Sequence, residues 1–143
     1  MTPSQQCIDL IKHYEGLRLV AYLPTPNDVW TIGYGHTADV FKGQRITEAE
    51  ATEFLKEDVD VFARGVTKSL GNAPTSQAQF DAMVSFAYNI GLGHFKTSSV
   101  LARHKERHYQ EAANAFRLWN KQAGRVLDGL TERRESERKL YLL

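Results

Sequence analysis

Apolar residues recur at helical spacing near the start of the chain. The repeating positions are Cys7, Ile8, Leu10, Ile11 and Tyr14, which share one face of an α-helix. Ahead of them, Thr2 is suited to cap the helix, Pro3 to its first turn, and Gln5 to a bond back to the cap. Gly16 follows Glu15 directly and predicts the end of this helix.

The pattern changes between Leu17 and Ile46. Leu19, Ala21 and Leu23 alternate with other residues, which is typical of a half-buried strand. Residues 24–28 combine two prolines with Asn and Asp and predict a turn, whereas residues 29–34 are mostly β-branched or aromatic. This stretch therefore predicts a small antiparallel sheet of about two or three strands.

Helical patterns return after the sheet. Thr47 and Glu50 have capping-box spacing and predict a long helix to about Arg64, with Gly65 near its end. Residues 71–74 read as a linker, and everything after Thr75 looks helical. Further helix starts are predicted at residues 97–99 and at Thr131, and breaks at Gly91 and Gly93.

These elements predict an α+β fold, with one domain spanning residues 1–143. We expect a small sheet-containing lobe over about residues 14–60, joined by the long helix to a helical lobe. The helical lobe would comprise about residues 70–143 and the first helix. A cleft forms naturally where two such lobes meet.

Composition is that of an ordinary globular protein, with 42% hydrophobic and 24% charged residues. The net charge is only +1, so nothing in the overall charge favours nucleic acid as a partner. The C-terminal third is nevertheless basic through Arg117, Lys121, Arg125, Arg133, Arg134, Arg138 and Lys139. This cluster is either a solvated helix face, the simpler interpretation, or a surface that attracts an anionic polymer.

Cys7 is the only cysteine, so no internal disulfide can form. Its apolar neighbours indicate a small buried side chain rather than a nucleophile, and a free thiol fits a reducing compartment. No signal peptide or membrane-inserting segment is apparent. We therefore expect the protein to stay in the cytoplasm of its host unless another factor releases it.

Glu15 is the leading candidate for chemistry. It lies at the end of a helix, where the negative end of the helix dipole disfavours a carboxylate. Partial burial beside an apolar face would raise its proton affinity, as a general acid requires. The alternative is an ordinary helix-end glutamate, and the local pattern does not decide between the two.

Other polar residues give weaker indications. Thr31 is either a strand former or a hydroxyl that holds a water molecule. His36 has no second histidine at ligand spacing, so we predict no metal site and no cofactor, and expect a structural ion pair instead. The aromatic residues Tyr22, Trp30 and Tyr34 are suited equally to stacking on sugars and to core packing.

Several segments together resemble the phage-type lysozymes of glycoside hydrolase family 24. The segments are residues 14–19 (YEGLRL), residues 31–37 (TIGYGHT), Ile46-Thr47 leading to residues 58–60 (DVD), residues 80–91 (FDAMVSFAYNIG), and Gly129-Leu130 with residues 133–135 (RRE). Each is weak alone, but their order along nearly the whole chain is specific. The resemblance implies a lysozyme-like fold.

The resemblance also implies an endolysin-type muramidase. Such an enzyme hydrolyses the bond between N-acetylmuramic acid and N-acetylglucosamine in bacterial peptidoglycan. On this basis Glu15 is the general acid, Thr31 helps to position the attacking water, and His36 and Asp58 form a structural pair. The resemblance further suggests Tyr88, Asn89 and Ser98 as sugar contacts.

One position departs from the family pattern. Family members usually carry a catalytic Asp after the Ala-Tyr-x stretch, but here Pro24 follows Leu23. The only acid in the loop is Asp28, which either takes over the catalytic role or is a plain turn residue.

The departure leaves two other interpretations open. A lytic transglycosylase acts on the same bond and needs a single catalytic acid, whereas a catalytically degenerate domain would only bind peptidoglycan. In each case we expect a monomer with peptidoglycan as its partner. We also expect a separate membrane-permeabilising protein to release it from the host bacterial cytoplasm to the cell wall.

Overall fold

The computed structural model describes all residues from 1 to 143. The helices are α1 (Gln5–Glu15), α2 (Glu48–Leu70), α3 (Gln77–Ile90), α4 (Leu92–Lys96), α5 (Ser99–Lys105), α6 (Tyr109–Ala115) and α7 (Asp128–Tyr141). The strands are β1 (Arg18–Tyr22), β2 (Thr31–Gly33), β3 (Lys121–Gln122) and β4 (Arg125–Val126), and a short 3-10 helix spans Phe116–Leu118. None of the helices combines the length and apolar content that a membrane span requires.

Helix α3 is the centre of the core. Eight consecutive residues of α3, from Phe80 to Ala87, are buried, because α1, α2 and α7 all pack against it. Phe86 illustrates the packing, since its ring meets Phe95, Phe116 and Trp119 edge to face. Such aromatic contacts stabilise a core beyond simple burial.

The predicted sheet forms from β1 and β2, which pair antiparallel with an irregular register between Arg18 and Tyr22. An isolated antiparallel bridge between Val20 and Arg45 pairs β1 with a segment that follows β2 in the chain. The turn predicted over residues 24–28 lies between the two strands. Sheet and turn therefore lie where the sequence predicts them, although burial does not alternate along β1 and Leu19 is exposed.

The predicted start of α1 is wrong. The helix begins at Gln5 with Ser4 at the cap position, and Thr2 does not cap it. Ser4 instead uses both its backbone N–H and its hydroxyl to bind the buried carboxylate of Asp81 on α3. A long-range contact, absent from any local pattern, decides where this helix starts.

The predicted end of α2 is also wrong. The capping box of Thr47 and Glu50 is present, but the helix continues through Gly65 to Leu70. A Cβ atom at Gly65 would lie 2.5 Å from Leu92 of α4. Gly65 therefore permits close packing of α4 on α2 and does not end the helix.

The C-terminal part is not purely helical, contrary to the prediction. Strands β3 and β4 form a hairpin, whose turn residues Ala123 and Gly124 both have positive φ, 52° and 79°. Helix α7 then starts at Asp128, so Thr131 lies inside it. The Thr131 hydroxyl accepts a hydrogen bond from Asn120 rather than capping a helix.

Candidate active site

A cleft of about 280 Å³ lies where α1, the turn after β2, α2 and α3 meet. We call it the Glu15 cleft. Its lining residues are Glu15, Gly35, Thr37, Ala38, Asp58, Val61, Phe62 and Tyr88. Four separate segments contribute to it, so the cleft exists only once the chain is folded.

Glu15 is the last residue of α1, and the helix ends there because Gly16 adopts a φ of 72°. The side chain of Glu15 is 21% exposed, and its Oε2 accepts a hydrogen bond of 2.6 Å from Nη1 of Arg133 on α7. The guanidinium is almost fully buried. The Glu15 carboxyl, which lines the cleft, is therefore bound by the buried guanidinium of Arg133.

The turn after β2 approaches Glu15 closely. Ile32 and His36 exchange two backbone hydrogen bonds of 2.9 Å, which closes the turn over residues 33–35. Gly35 has a φ of +95°, and a Cβ atom there would lie 3.5 Å from Oε1 of Glu15. A side chain at this position would be strained by the positive φ, and its Cβ would stand in van der Waals contact with the carboxyl, so glycine suits this turn.

Tyr88 of α3 connects the helical core to the same turn. Its hydroxyl donates a hydrogen bond of 2.9 Å to the carbonyl of Tyr34, and its ring meets Phe62 edge to face at 5.1 Å. Burial raises the pKa of Tyr88, and the charges of Glu15 and Asp58 raise it further. The phenol is therefore a neutral donor at any working pH.

Asp58 lines the cleft and is paired with His36, which is not among the lining residues. Nδ1 of His36 is 2.8 Å from Oδ2 of Asp58 on α2, and the imidazole stacks on Phe54 at 4.2 Å. The contact joins the turn after β2 to the long helix. No group of three or more His, Cys, Asp or Glu side chains is arranged to hold a metal ion.

Thr31 and Asp28 do not line the Glu15 cleft. Thr31 is buried on β2, and its hydroxyl donates a hydrogen bond of 3.0 Å to the carbonyl of Val29. Asp28 lies in the exposed turn, where its carboxylate accepts a hydrogen bond of 2.9 Å from the backbone N–H of Val29. In this conformation the Thr31 hydroxyl and the Asp28 carboxylate both bind the backbone of Val29.

Asn89 and Ser98 lie elsewhere. Asn89 accepts a hydrogen bond from Arg134 and lines a second groove of about 340 Å³ with Trp119 and Lys121, the Asn89 groove. Ser98 is buried and caps α5, and its hydroxyl donates to the carbonyl of Phe95 at 2.8 Å. Of the three suggested sugar contacts, only Tyr88 borders the Glu15 cleft.

The sequence did not point to Arg133 as the partner of Glu15. Arg133 and Arg134 are both buried against Glu137, so the basic C-terminal third is not one solvated surface. Burial lowers the pKa of Arg133, but the charges of Glu137 and Glu15 outweigh this and leave it raised. The spacing of Arg133 and Glu137 by four residues is a local signal that allows such a pair on a helix.

Comparisons with known proteins identify the family of this chain. The phage lysozyme family model matches residues 12–137. The endolysin of Bacillus phage B103 is 49% identical over 99% of this chain, but the chain spans only 54% of that protein's length. The endolysin of Salmonella phage P22 is 40% identical, and 99% of each chain is aligned.

Solved structures give the same result. The muramidase domain of SpmX from Asticaccaulis excentricus superimposes with a TM-score of 0.91 at 40% identity, covering 98% of this chain and 97% of that one. The predicted lysozyme-like α+β fold is thereby confirmed.

Proposed function

Because the chain belongs to the phage lysozyme family, we propose that it is an endolysin-type muramidase. It would hydrolyse the bond between N-acetylmuramic acid and N-acetylglucosamine in bacterial peptidoglycan. The observation that carries the proposal is the position of Glu15 on the wall of an open cleft, beside Gly35 and held by Arg133. A glycan strand lying in the cleft would bring its glycosidic oxygen to this carboxyl.

In the proposed reaction, Glu15 donates a proton to the leaving glycosidic oxygen while an oxocarbenium-like state develops at the anomeric carbon. Arg133 keeps the carboxyl directed at the cleft. Water then attacks the anomeric carbon from the other face of the sugar and loses a proton, which passes to the Asp28 carboxylate or to solvent. Thr31 and Asp28 are the proposed residues that position this water, which requires their side chains to turn away from Val29 when the glycan binds.

Replacing Glu15 by Gln tests the proposal. The amide keeps the shape but cannot act as an acid, so release of reducing ends from purified peptidoglycan should fall by about 10²-fold to 10⁴-fold. Asp9→Asn is the matched control, because Asp9 is an exposed acid on the same helix and should retain full activity. Undiminished activity of a folded Glu15→Gln variant would refute the assignment. Wild-type protein that pellets with peptidoglycan without cleaving it would indicate a binding domain.

A lytic transglycosylase is the second candidate. The observation in its favour is that Asp28, the only acid in the loop, is bound to the backbone of its own turn. The cleft itself is lined by two acids, Glu15 and Asp58, and Asp58 is paired with His36. Mass spectrometry of the released muropeptides separates the two reactions. Ends of the 1,6-anhydro-muramyl type form only when the 6-hydroxyl of the muramyl residue, instead of water, attacks the anomeric carbon. An Asp28→Asn variant with an undiminished rate would show that the second carboxyl is dispensable.

The remaining proposals concern the cellular setting. We propose that peptidoglycan is the sole partner and that the protein acts as a monomer. We also propose that it reaches the wall from the bacterial cytoplasm once a separate protein permeabilises the membrane. Expression with and without a membrane-permeabilising protein tests this route, because cells should lyse promptly only when both are present.

A further inference from the structure

Glu137 is a buried carboxylate whose contacts extend beyond its own helix. It lies on α7 with 0% exposure. Its Oε2 accepts hydrogen bonds from the Ser85 hydroxyl at 2.6 Å and from Nε of Arg133 at 3.2 Å. Its Oε1 accepts a hydrogen bond from Nη1 of Arg134. One carboxylate therefore holds two guanidinium groups.

Each of the two arginines continues to a different groove. Arg133 reaches Glu15 in the Glu15 cleft, whereas Arg134 reaches Asn89 in the Asn89 groove and the carbonyl of Trp119, the latter at 2.9 Å. Glu137 thus stands between the two grooves. It touches neither of them itself.

The orientation of Arg133 depends on this arrangement. Its Nε binds Glu137, its Nη2 donates to the Ser85 carbonyl at 3.2 Å, and its Nη1 donates to Glu15. A guanidinium is planar and rigid, so contacts on one edge determine the direction of the N–H groups on the other. Contacts with Glu137 and Ser85 therefore set the direction from which Arg133 meets Glu15.

The buried charges of Arg133 and Arg134 also indicate that Glu137 affects how Arg133 binds Glu15. The side chains of Arg133 and Arg134 are only 4% and 1% exposed, and two buried cations need a buried anion nearby. If Glu137 were neutral, Glu15 would be the only carboxylate bound to Arg133. The positive charge of Arg133 would then be balanced by the carboxylate of Glu15 alone.

We propose that Glu137 is a positioning residue for the glycosidase reaction, orienting Arg133 and, through it, the carboxyl of Glu15. This inference rests on the proposed function of Glu15. A purely structural role, in which Glu137 only joins α7 to α3, would lower stability without changing the chemistry of folded molecules.

The test compares Glu137→Gln with Glu135→Gln. Glu135 is a matched control, because it lies on the same helix and also pairs with an arginine, Arg117, but at the surface and away from Glu15. For folded Glu137→Gln we expect kcat on soluble peptidoglycan fragments to fall on the order of tenfold, with KM unchanged. Glu135→Gln should keep both constants.

The pH profile is a second readout, which a structural role would not move. Activity is lost on the alkaline side when the acid gives up its proton. With Glu137 neutral, Glu15 is the only carboxylate left to bind Arg133, so the alkaline limb of the Glu137→Gln profile should lie at lower pH than that of the wild type. The other ionisable groups lining the cleft, Tyr88 of α3 and Asp58 of α2, are unchanged in both variants.

Ser85→Ala covers the case in which Glu137→Gln does not fold. It removes one hydrogen bond to Oε2 of Glu137 without changing any charge, and kcat should fall about twofold to fivefold. A folded Glu137→Gln variant with wild-type kcat and an unchanged pH profile would overturn the positioning role. The proposed function would still stand if Glu15→Gln loses activity. If Glu15→Gln is itself fully active, both proposals fall.

Discussion

At the scale of single residues, the site depends on the turn after β2, in which Gly35 adopts a positive φ beside the carboxyl of Glu15. Gly35 lets the turn after β2 lie against Glu15, and the Tyr88 hydroxyl ties that turn to α3 through the Tyr34 carbonyl. Tyr34 itself is buried, so its ring belongs to the core and is not free to stack on a sugar. The aromatic pattern alone left both roles open.

Tyr88→Phe should separate this tie from simple packing. The ring stays, but the hydrogen bond to Tyr34 is lost, so the free energy of unfolding should fall by about 1 kcal/mol. A less firmly held turn should also raise KM for peptidoglycan fragments. Urea unfolding and steady-state kinetics measure both effects. Tyr22→Phe is the control, because it also removes a phenol hydroxyl, but from a ring that lies against Arg18 on β1. Equal changes in stability and in KM for the two variants would contradict the prediction.

At the scale of elements, local signals were right for the start of α2 and the end of α1, but wrong for the starts of α1 and α7 and for the end of α2. The capping boxes of α2 and α3 involve residues three apart, and such contacts form wherever the chain turns helical. Gly65 looked like a helix end but is a contact point for Leu92. The β3–β4 hairpin was not predicted from the sequence, because its turn residue Ala123 adopts a positive φ, which is unusual for a residue other than glycine.

Gly65→Ala should therefore bring little or no gain in stability despite its better helix propensity. Leu92 is only partly buried and its terminal methyl groups can move aside, so overpacking should cost about 1 kcal/mol and offset the roughly 1 kcal/mol gained from propensity. In a Leu92→Ala background the same change should become stabilising. Denaturant unfolding of the four proteins in this cycle measures the coupling. Equal effects of Gly65→Ala in both backgrounds would exclude the contact with Leu92 as the cause.

At the scale of the whole molecule, a buried histidine joins distant parts of the chain. His104 of α5 is fully buried. Its Nε2 lies 2.9 Å from the Thr75 hydroxyl, before α3, and its Nδ1 lies 2.7 Å from the Tyr141 hydroxyl at the end of α7. Burial lowers the pKa of His104 below its ordinary value of 6.5. The folded protein therefore holds this imidazole neutral.

The sign of the resulting pH dependence follows from linkage. As pH falls through about 6.5, the unfolded chain binds a proton at His104 and the folded protein does not, so stability is lost towards acid. The loss should approach about 1.4 kcal/mol per pH unit until the folded pKa is reached. Urea unfolding of wild type and His104→Gln between pH 7.5 and 5.0 measures it, and the wild type should lose more stability. Parallel curves would contradict the assignment to His104.

The sequence by itself determined what short-range chemistry decides. Periodicity and caps indicated the α+β plan, and Glu15 before Gly16 indicated an acid at the end of the first helix, because these signals lie within a few residues of one another. Only the tertiary structure decided the partner of Glu15, since Arg133 lies 118 residues away in the chain. Burial of charge is likewise a property of the packed core: Arg133 and Arg134 looked like surface cations until their buried partner, Glu137, was in place.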